Sequence, residues 1–445
     1  MRRSDHAGWE PPLDRPDPVD LLEEQGRTRV HELLPIRYGR MLLSPLAFFR
    51  GGAYLMASDL ARTPRTRLQV ELSGDAHLSN FGIYAAPDRR LVFSVNDFDE
   101  TLPGPFEWDV KRLAASFAIA GRELGFDKKE RKSVTRAAVR SYRIAMRDFA
   151  GMRTLDAWYA RLEVDEIVRR WGREVRRKHL ERIEKNVAKR RAKDHLRAFD
   201  KLTEVVEGER RIISDPPLIV PIEELLPTDE HKRLPEMLRQ IFDSYARTVV
   251  VDRRRLLERF RYVHAARKVV GVGSVGLQAW ILLLLGRDDE DPLFLQLKEA
   301  QASVLEPFLG NSAFANHGQR VVEGRRLTQA ARDVLLGWTR TADIDGNSSR
   351  DYYVRQLWDG KAQANIDAMD PSTMTVYAEI CGWTLAHAHA RSGDAVELAG
   401  YLGRGDPFDR ALGSFAERYA DQNERDHAAL AAAAASGRIT VETGS

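Results

Sequence analysis

The sequence predicts an α/β (α+β) protein of two lobes, a small mixed lobe and a mostly helical large one. Three observations carry this expectation. Leu72 to Glu107 alternates short apolar strands with acidic loops. Lys268 to Ala300 reads as an apolar strand, a glycine-rich loop and two further apolar strands. Long stretches elsewhere, above all Thr373 to Ala390 and Pro407 to Ala435, have helical spacing. Residues 1–66 are assigned to an N-terminal helical segment, and 67–254 to half of the large lobe with a helical insertion. Residues 255–358 form the small lobe and 359–445 the helical remainder of the large one.

Composition bounds the function classes. The chain has 445 residues, a formal net charge of +3, 30% charged residues and 8% aromatic ones. This is ordinary globular usage with enough length for a sizeable core. The mild basic excess does not by itself call for nucleic acid. A single cysteine, Cys381, excludes an internal disulfide and falls in an apolar helical pattern. Met1-Arg2-Arg3-Ser4 leads into no apolar segment, so no signal peptide is expected. The apolar run Val275 to Leu285 contains Gln278 and is too short to span a bilayer. The expected compartment is the cytoplasm, with no membrane partner.

Taken in order, residues 1–16 form a loose arm rich in Pro and Asp. Asp17 to Leu34 and Ser44 to Ala61 have helical spacing, with Ser44-Pro45 as a start signal. Arg67 to Leu72 alternates like a half-buried strand, and Leu91 to Val95 reads as another. Gly104 to Ser116 is a turn entering a helix, whose early Asp109 is suited to brace the preceding loop through backbone amides. Asp127 to Lys201 is helical and heavily charged. Ile167, Trp171, Val175, Leu180, Ile183 and Val187 form one apolar stripe, and basic residues crowd the other faces. Interspersed acids favour a solvated face; an acidic partner docking on 167–193 is the alternative. Pro216, Pro217 and Pro221 mark a loop, and Asp229 to Tyr245 returns to helix. Gly318 to Arg332 reads as a helix, with strands at Asp333 to Thr339 and Asp351 to Trp358 around a polar loop.

The acidic loops carry the chemistry. Ser73-Gly74-Asp75-Ala76-His77-Leu78-Ser79-Asn80 precedes one strand, and Asn96-Asp97-Phe98-Asp99-Glu100 follows the next. Asp-x-x-x-x-Asn followed by Asp-Phe-x is the polar set that phosphoryl transfer requires. Asp75 is the candidate base for an attacking hydroxyl; Asn80, Asp97 and Asp99 are candidate Mg²⁺ ligands. Taken singly, Gly-Asp and Asn-Asp are ordinary turn pairs. Glycines at Gly271, Gly273 and Gly276, with Ser274 among them, let backbone amides approach phosphate oxygens. Lys298, on the third strand, is a fixed charge for the same phosphates, and Glu323 is its assigned helix partner. Glu299 and Glu306 are rivals, and strand alternation counts against Glu299. Gln356 to Asp359 is the expected adenine-contacting hinge. A binuclear metallohydrolase, suggested by Asp75-x-His77 and His387-x-His389, lacks the further acidic and Asn-His motifs that it needs.

These residues together resemble the aminoglycoside phosphotransferase and protein-kinase-like superfamily. More closely, the chain resembles an uncharacterised bacterial family known as a domain of unknown function. Gly74-Asp75-Ala76-His77, Asn96 to Thr101, Trp108 to Arg112, Val269 to Gly276, Gln296 to Ala300 and Tyr353 to Leu357 carry that likeness. The resemblance implies a two-lobed kinase-like fold and an ATP- and Mg²⁺-dependent phosphotransferase acting on a hydroxyl of a small molecule or protein. A nucleotide-binding pseudokinase-type regulator and an AMP-transferring enzyme are the alternatives. Two features depart from the pattern: Ser73 stands where histidine usually precedes Gly-Asp, and Asp97-Phe98-Asp99 replaces Asp-Phe-Gly. The order departs as well. The catalytic loop comes first and the glycine loop about two hundred residues later, which implies a circular permutation.

Overall fold

A computed structural model gives the fold. It describes the chain except residues 173–198, 200, 207, 226–233, 270, 274, 343–348, 358–361 and 443–445. Residues 1–16, expected as a loose arm, are packed instead: Arg3–Ala7 is a short 3-10 helix, Trp9 is buried, and Arg15 bonds Asp59 and Asp426. Four α-helices follow: α1 (Pro18–Gly26), α2 (Leu34–Leu42), α3 (Pro45–Gly51) and α4 (Ala53–Ala61). Asp17 caps α1 by accepting from the amides of Val19 and Asp20, and Ser44 caps α3 through Ala47. The helix expected over Ser44 to Ala61 is two helices, because the chain breaks at Gly52 (φ −99°, ψ 31°).

Strands β1 (Gln69–Leu72), β2 (Phe81–Ala85), β3 (Leu91–Val95) and β4 (Leu102–Pro105) follow. β1 pairs with β4 and β2 with β3, both antiparallel. Helix α5 (Glu107–Glu123) comes next and is buried from Glu107 to Gly121. It runs through the largest apolar core, beside α6 (Lys128–Gly151). The single charged helix expected from Asp127 is interrupted. α6 ends at Gly151, and α7 (Thr154–Tyr159), β5 (Leu162–Glu163) and α8 (Val164–Trp171) succeed it. The basic stretch beyond residue 172 lies outside the described residues.

A six-stranded antiparallel sheet is the second centre. The hairpin β6 (Thr203–Val206) and β7 (Glu209–Ile212) precedes it, and β8 (Ile219–Pro221) forms one edge. Pro221, expected in a loop, ends that edge strand, where a missing amide is tolerated. Helices α9 (Ile222–Leu225), α10 (Leu234–Ala246) and α11 (Val251–Leu257) come next. Then follow β9 (Arg261–Lys268), β10 (Ala279–Leu285) and β11 (Pro292–Ala300). Helices α12 (Glu306–Leu309) and α13 (His317–Thr328) separate β11 from β12 (Gly337–Ala342) and β13 (Ser349–Gln356). The sheet order is β12-β13-β11-β10-β9-β8.

Strand alternation explains why β10 is apolar on both faces. Trp280, Leu282 and Leu284 pack with Leu293, Leu295, Leu297 and Tyr245 of α10. Ile281, Leu283 and Leu285 pack with Phe294, Leu357 and the hairpin-side residues Phe199, Leu202 and Ile212. The same alternation sends Lys298 to the face opposite Leu297 and Glu299. β12 starts later than Asp333, because both Asp333 oxygens tie a turn: Oδ1 accepts from Leu335 N and Oδ2 from Gln356 N. α13 stops at Thr328, since Gln329 turns extended and donates to Val95 O at 2.6 Å.

β14 (Ala362–Gln363) pairs with β2, and α14 (Pro371–Ser392), α15 (Ala395–Leu402) and α16 (Pro407–Ala435) complete the helical body. α14 lies against α6 so closely that a Cβ on Gly382 would sit 2.1 Å from Ala138 O. Among the described residues, no helix is long and apolar enough to cross a membrane.

The packing makes a paired prediction for chemical denaturation. Gly382→Ala should lower unfolding free energy by about 1–3 kcal/mol through overpacking. Gly400→Ala, in open space within α15, should raise it by about 0.5–1 kcal/mol.

Candidate functional site

The loop after β1 is fixed from below by α5. Asp109, in the first turn of that helix, accepts from Ser73 N at 2.7 Å and Gly74 N at 3.0 Å. This is the bracing role expected for it. Its Oδ2 also meets His389 Nε2 at 3.2 Å, and Tyr142 OH lies 2.8 Å from His389 Nδ1. A carboxylate only accepts, so Nε2 carries the proton and Nδ1 accepts from the tyrosine. Gly74 is required where it stands: its φ is +78° and a Cβ would lie 2.3 Å from Glu100 O.

Asp75 stands at the tip of this loop. Arg112, one turn along α5 from Asp109, donates from Nε to Asp75 Oδ1 at 2.5 Å. That guanidinium is buried, lies over the Phe49 ring at 4.3 Å and also donates to Phe49 O. Asn80 Nδ2 donates to Asp75 O at 2.8 Å, and Asn80 O accepts from Asn96 N at 2.8 Å. The two acidic loops are thereby tied together, and Ser73 Oγ adds a bond to Asp97 O at 3.2 Å. His77 Nε2 is 3.7 Å from Asp75 Oδ2. Burial pushes the His77 imidazole down to about 4, so it is neutral at pH 7.

From the other side, β11 delivers Lys298. Its Nζ bonds Asp99 Oδ2 and lies 3.9 Å from Asp97 Oδ2, joining residues 199 positions apart in sequence. Tyr353, its neighbour on β13, donates to Asp99 Oδ1 at 2.8 Å. Burial would raise Asp97, but Lys298 and then Arg355 hold its carboxyl well below the usual range. Burial and the adjacent Asp97 charge push Asp99 up. Burial opposes the Lys298 charge, yet the two aspartates raise it overall. Three backbone carbonyls, of Asp99, Thr101 and Gln301, accept from Arg320 of α13, which stiffens this loop further.

Glu323 is not the partner of Lys298 here. It faces away and bonds Arg326 at 2.8 Å, while Asp99 takes the lysine. The helix residue turned toward the acidic loop is the cation Arg320, whose bonds run to backbone carbonyls. Glu299 lies on the opposite face, as alternation requires, and accepts from Arg350, Gln301 and Gln278 N. Glu306 instead stands 3.9 Å from Arg320. Gln356 ends β13, with its amide bonded to Asp333; the rest of the expected hinge, from residue 358, lies outside the described residues.

Gly271 and Gly276 take positive φ (69° and 91°) in the turn between β9 and β10, and Gly273 lies between them; Ser274 is outside the described residues. The His387-x-His389 pair forms no metal site with Asp75. His387 stacks on Trp383, and His389 is committed to Asp109 and Tyr142. Among the described residues, no three His, Cys, Asp or Glu side chains gather as a metal cluster. Asp97, Asp99 and the Asn80 amide oxygen are donors of the kind Mg²⁺ takes, one or two carboxylates with water and phosphate completing its shell. Sequence reading missed Arg112, Tyr353 and Arg320. Arg112 and Tyr353 lie in phrases that carry the family likeness, and Arg112 also stands one turn from Asp109.

A family model described as an uncharacterized protein conserved in bacteria (DUF2252) matches residues 29–433. No curated protein and no solved structure matches the chain.

The brace predicts that Asp109→Asn, which turns an NH₂ toward a backbone amide, costs about 1–3 kcal/mol in urea unfolding. His387 predicts a pH dependence. Burial lowers its folded-state value from 6.5 to about 3. Below pH 6.5 the unfolded chain binds a proton that the folded chain refuses, so stability is lost as pH falls from 6.5 toward 3. His387→Gln should flatten that slope in unfolding measured at successive pH values.

Proposed function

The chain belongs to this uncharacterised bacterial family, whose description names no reaction, and we propose on the site's geometry that it is an ATP- and Mg²⁺-dependent phosphotransferase of kinase-like, circularly permuted fold. One observation carries the reading: Lys298 meets Asp97 and Asp99 although they are about two hundred residues apart in sequence. The sheet supports it. A glycine turn joins β9 to β10, a lysine sits on the next strand, β11, and a helix precedes the following strand, β12. These are parts found in kinases.

The roles follow from the contacts. Lys298 now neutralises the acids; with a nucleotide bound it would turn its charge on phosphate oxygens. Asp97, Asp99 and the oxygen of Asn80 would hold Mg²⁺, which shields the charge between the β- and γ-phosphates. The backbone amides of Gly271, Gly273 and Gly276 would cover the phosphates. Asp75 would orient an acceptor hydroxyl and take its proton, a contribution of roughly 10²–10⁴-fold. Glu323 has no part in this reading, since its carboxylate bonds Arg326 and not Lys298.

Arg112 favours a second reading, a nucleotide-binding regulator of pseudokinase type. A guanidinium already bonded to Asp75 Oδ1 competes with a substrate hydroxyl for that carboxylate.

Differential scanning fluorimetry with Mg²⁺-ATP tests nucleotide binding. Wild type at 100 times its dissociation constant should gain about 2.7 kcal/mol of stability. Lys298→Met and Asp97→Asn should each remove most of the gain. No shift in wild type would contradict both readings. Turnover on a panel of hydroxylated metabolites, with products weighed by mass spectrometry, separates enzyme from regulator and phosphoryl from AMP transfer.

A further inference from the structure

Three arginines from the N-terminal helical segment reach the glycine turn; Arg40 donates to Gly271 O at 2.7 Å, and Arg29 and Arg50 stand nearer the acidic loops. Arg29 follows α1 and is only 8% exposed. Its Nη1 donates to Val275 O at 2.6 Å, while its Nε has no hydrogen-bond partner. Its stem fills the space beside Gly276, where a Cβ would come within 2.9 Å of it. Val30 N adds a bond to Gly276 O at 2.8 Å. With Asp99, Glu100, Tyr54 and Gln301, Arg29 lines a cleft of about 930 Å³.

Arg50 closes α3 on the other side. Its backbone carbonyl lies 3.3 Å from the place of a Cβ on Gly273. Its Nε is buried without a hydrogen-bond partner; burial pushes the guanidinium down, and the Asp75 charge acts the other way. Desolvating a guanidinium donor without pairing it is costly unless a ligand completes it. Asp99 already has Lys298 and Tyr353, and Asp75 has Arg112. Glu100 and then Glu299 act most on the Arg29 charge, but Glu100 accepts from Val304 N and Glu299 from Arg350, and among the described residues neither Arg29 nor Arg50 bonds a carboxylate. The Arg29 fork, bonded to Val275 O at the rim of the glycine turn, matches the oxygens of a phosphate, and Arg50 enters from the helix whose backbone packs on Gly273.

We propose that Arg29 and Arg50 contact the terminal phosphoryl group of a bound nucleoside triphosphate. The inference rests on the nucleotide reading above. Arg29 takes a non-bridging oxygen on the Asp99 and Glu100 side, and Arg50 takes one on the Asp75 side. In transfer, the bond from the γ-phosphorus to the bridging oxygen breaks and the nucleoside diphosphate leaves with the electron pair. A bond forms from the acceptor hydroxyl oxygen to phosphorus, and the hydroxyl proton passes to Asp75. Both arginines stay protonated and hold the equatorial oxygens throughout. The site thus draws cationic donors from a segment that precedes the catalytic loop in sequence.

Isothermal titration of the full chain with Mg²⁺-ATP and Mg²⁺-ADP tests this, because only ATP carries the phosphate in question. Wild type should prefer ATP. Arg50→Met and Arg29→Met should each weaken ATP by about tenfold or more and leave ADP within about twofold. Circular dichroism checks folding. If Arg29→Met fails that check, Arg29→Gln, which can still donate to Val275, takes its place. An unchanged ATP-to-ADP ratio in the Arg50 and Arg29 variants overturns this inference alone. Wild type that binds neither nucleotide overturns the nucleotide reading and this inference with it.

Discussion

The ammonium of Lys298 against the carboxylates of Asp97 and Asp99 is the contact on which the molecule turns. It joins β11 of the six-stranded sheet to the loop after β3, and with it the two halves of the sequence. The three charges are each poor guests in a partly dry cleft, and together they are tolerable. Tyr353 satisfies the second oxygen of Asp99, and Arg320 gathers the surrounding carbonyls. The arrangement is also replaceable. A divalent cation held by the same acids would release the lysine toward an incoming anion, so the contact reads as a site held ready.

Around that contact, buried polar bonds fix the two acidic loops within the main apolar core. Asp109 holds two consecutive amides of the Asp75 loop and is held in turn by His389 and Tyr142. Arg112, on the same face of α5, positions Asp75 itself. The helix that aims these groups is buried from Glu107 to Gly121, which keeps their aim fixed. The Asp75 side chain is therefore fixed, and an acceptor hydroxyl in the proposed reading has to draw it from Arg112.

Much of this was readable from residue spacing. The strand at Leu91–Val95, the helix at Pro407–Ala435 and the start at Ser44-Pro45 are set by local alternation and capping, and they appear where expected. The Gly-Asp turn and the bracing role of Asp109 were legible because both depend on neighbours within one motif. What failed depends on tertiary choice. Glu323 and Asp99 are both plausible partners for a strand lysine, and only the way α13 rolls turns Glu323 outward and Arg320 inward. The break at Gly52, the edge strand at Pro221 and the late start of β12 each follow from packing or from a side-chain bond to distant backbone. Arg29 and Arg50 look like ordinary surface cations in sequence, because nothing local announces that a glycine turn will fold over them.

The central claim is that these separated groups form one nucleotide–metal site. Its most direct test is a crystal structure with a non-hydrolysable ATP analogue and Mn²⁺, using the anomalous signal to locate the ion. The account predicts an Mn²⁺ peak coordinated by Asp97 together with Asp99 or Asn80, and phosphate oxygens against Lys298 beneath the β9–β10 turn. An analogue bound elsewhere, or an ion that avoids Asp97 while Lys298 keeps its grip on Asp99, would contradict it.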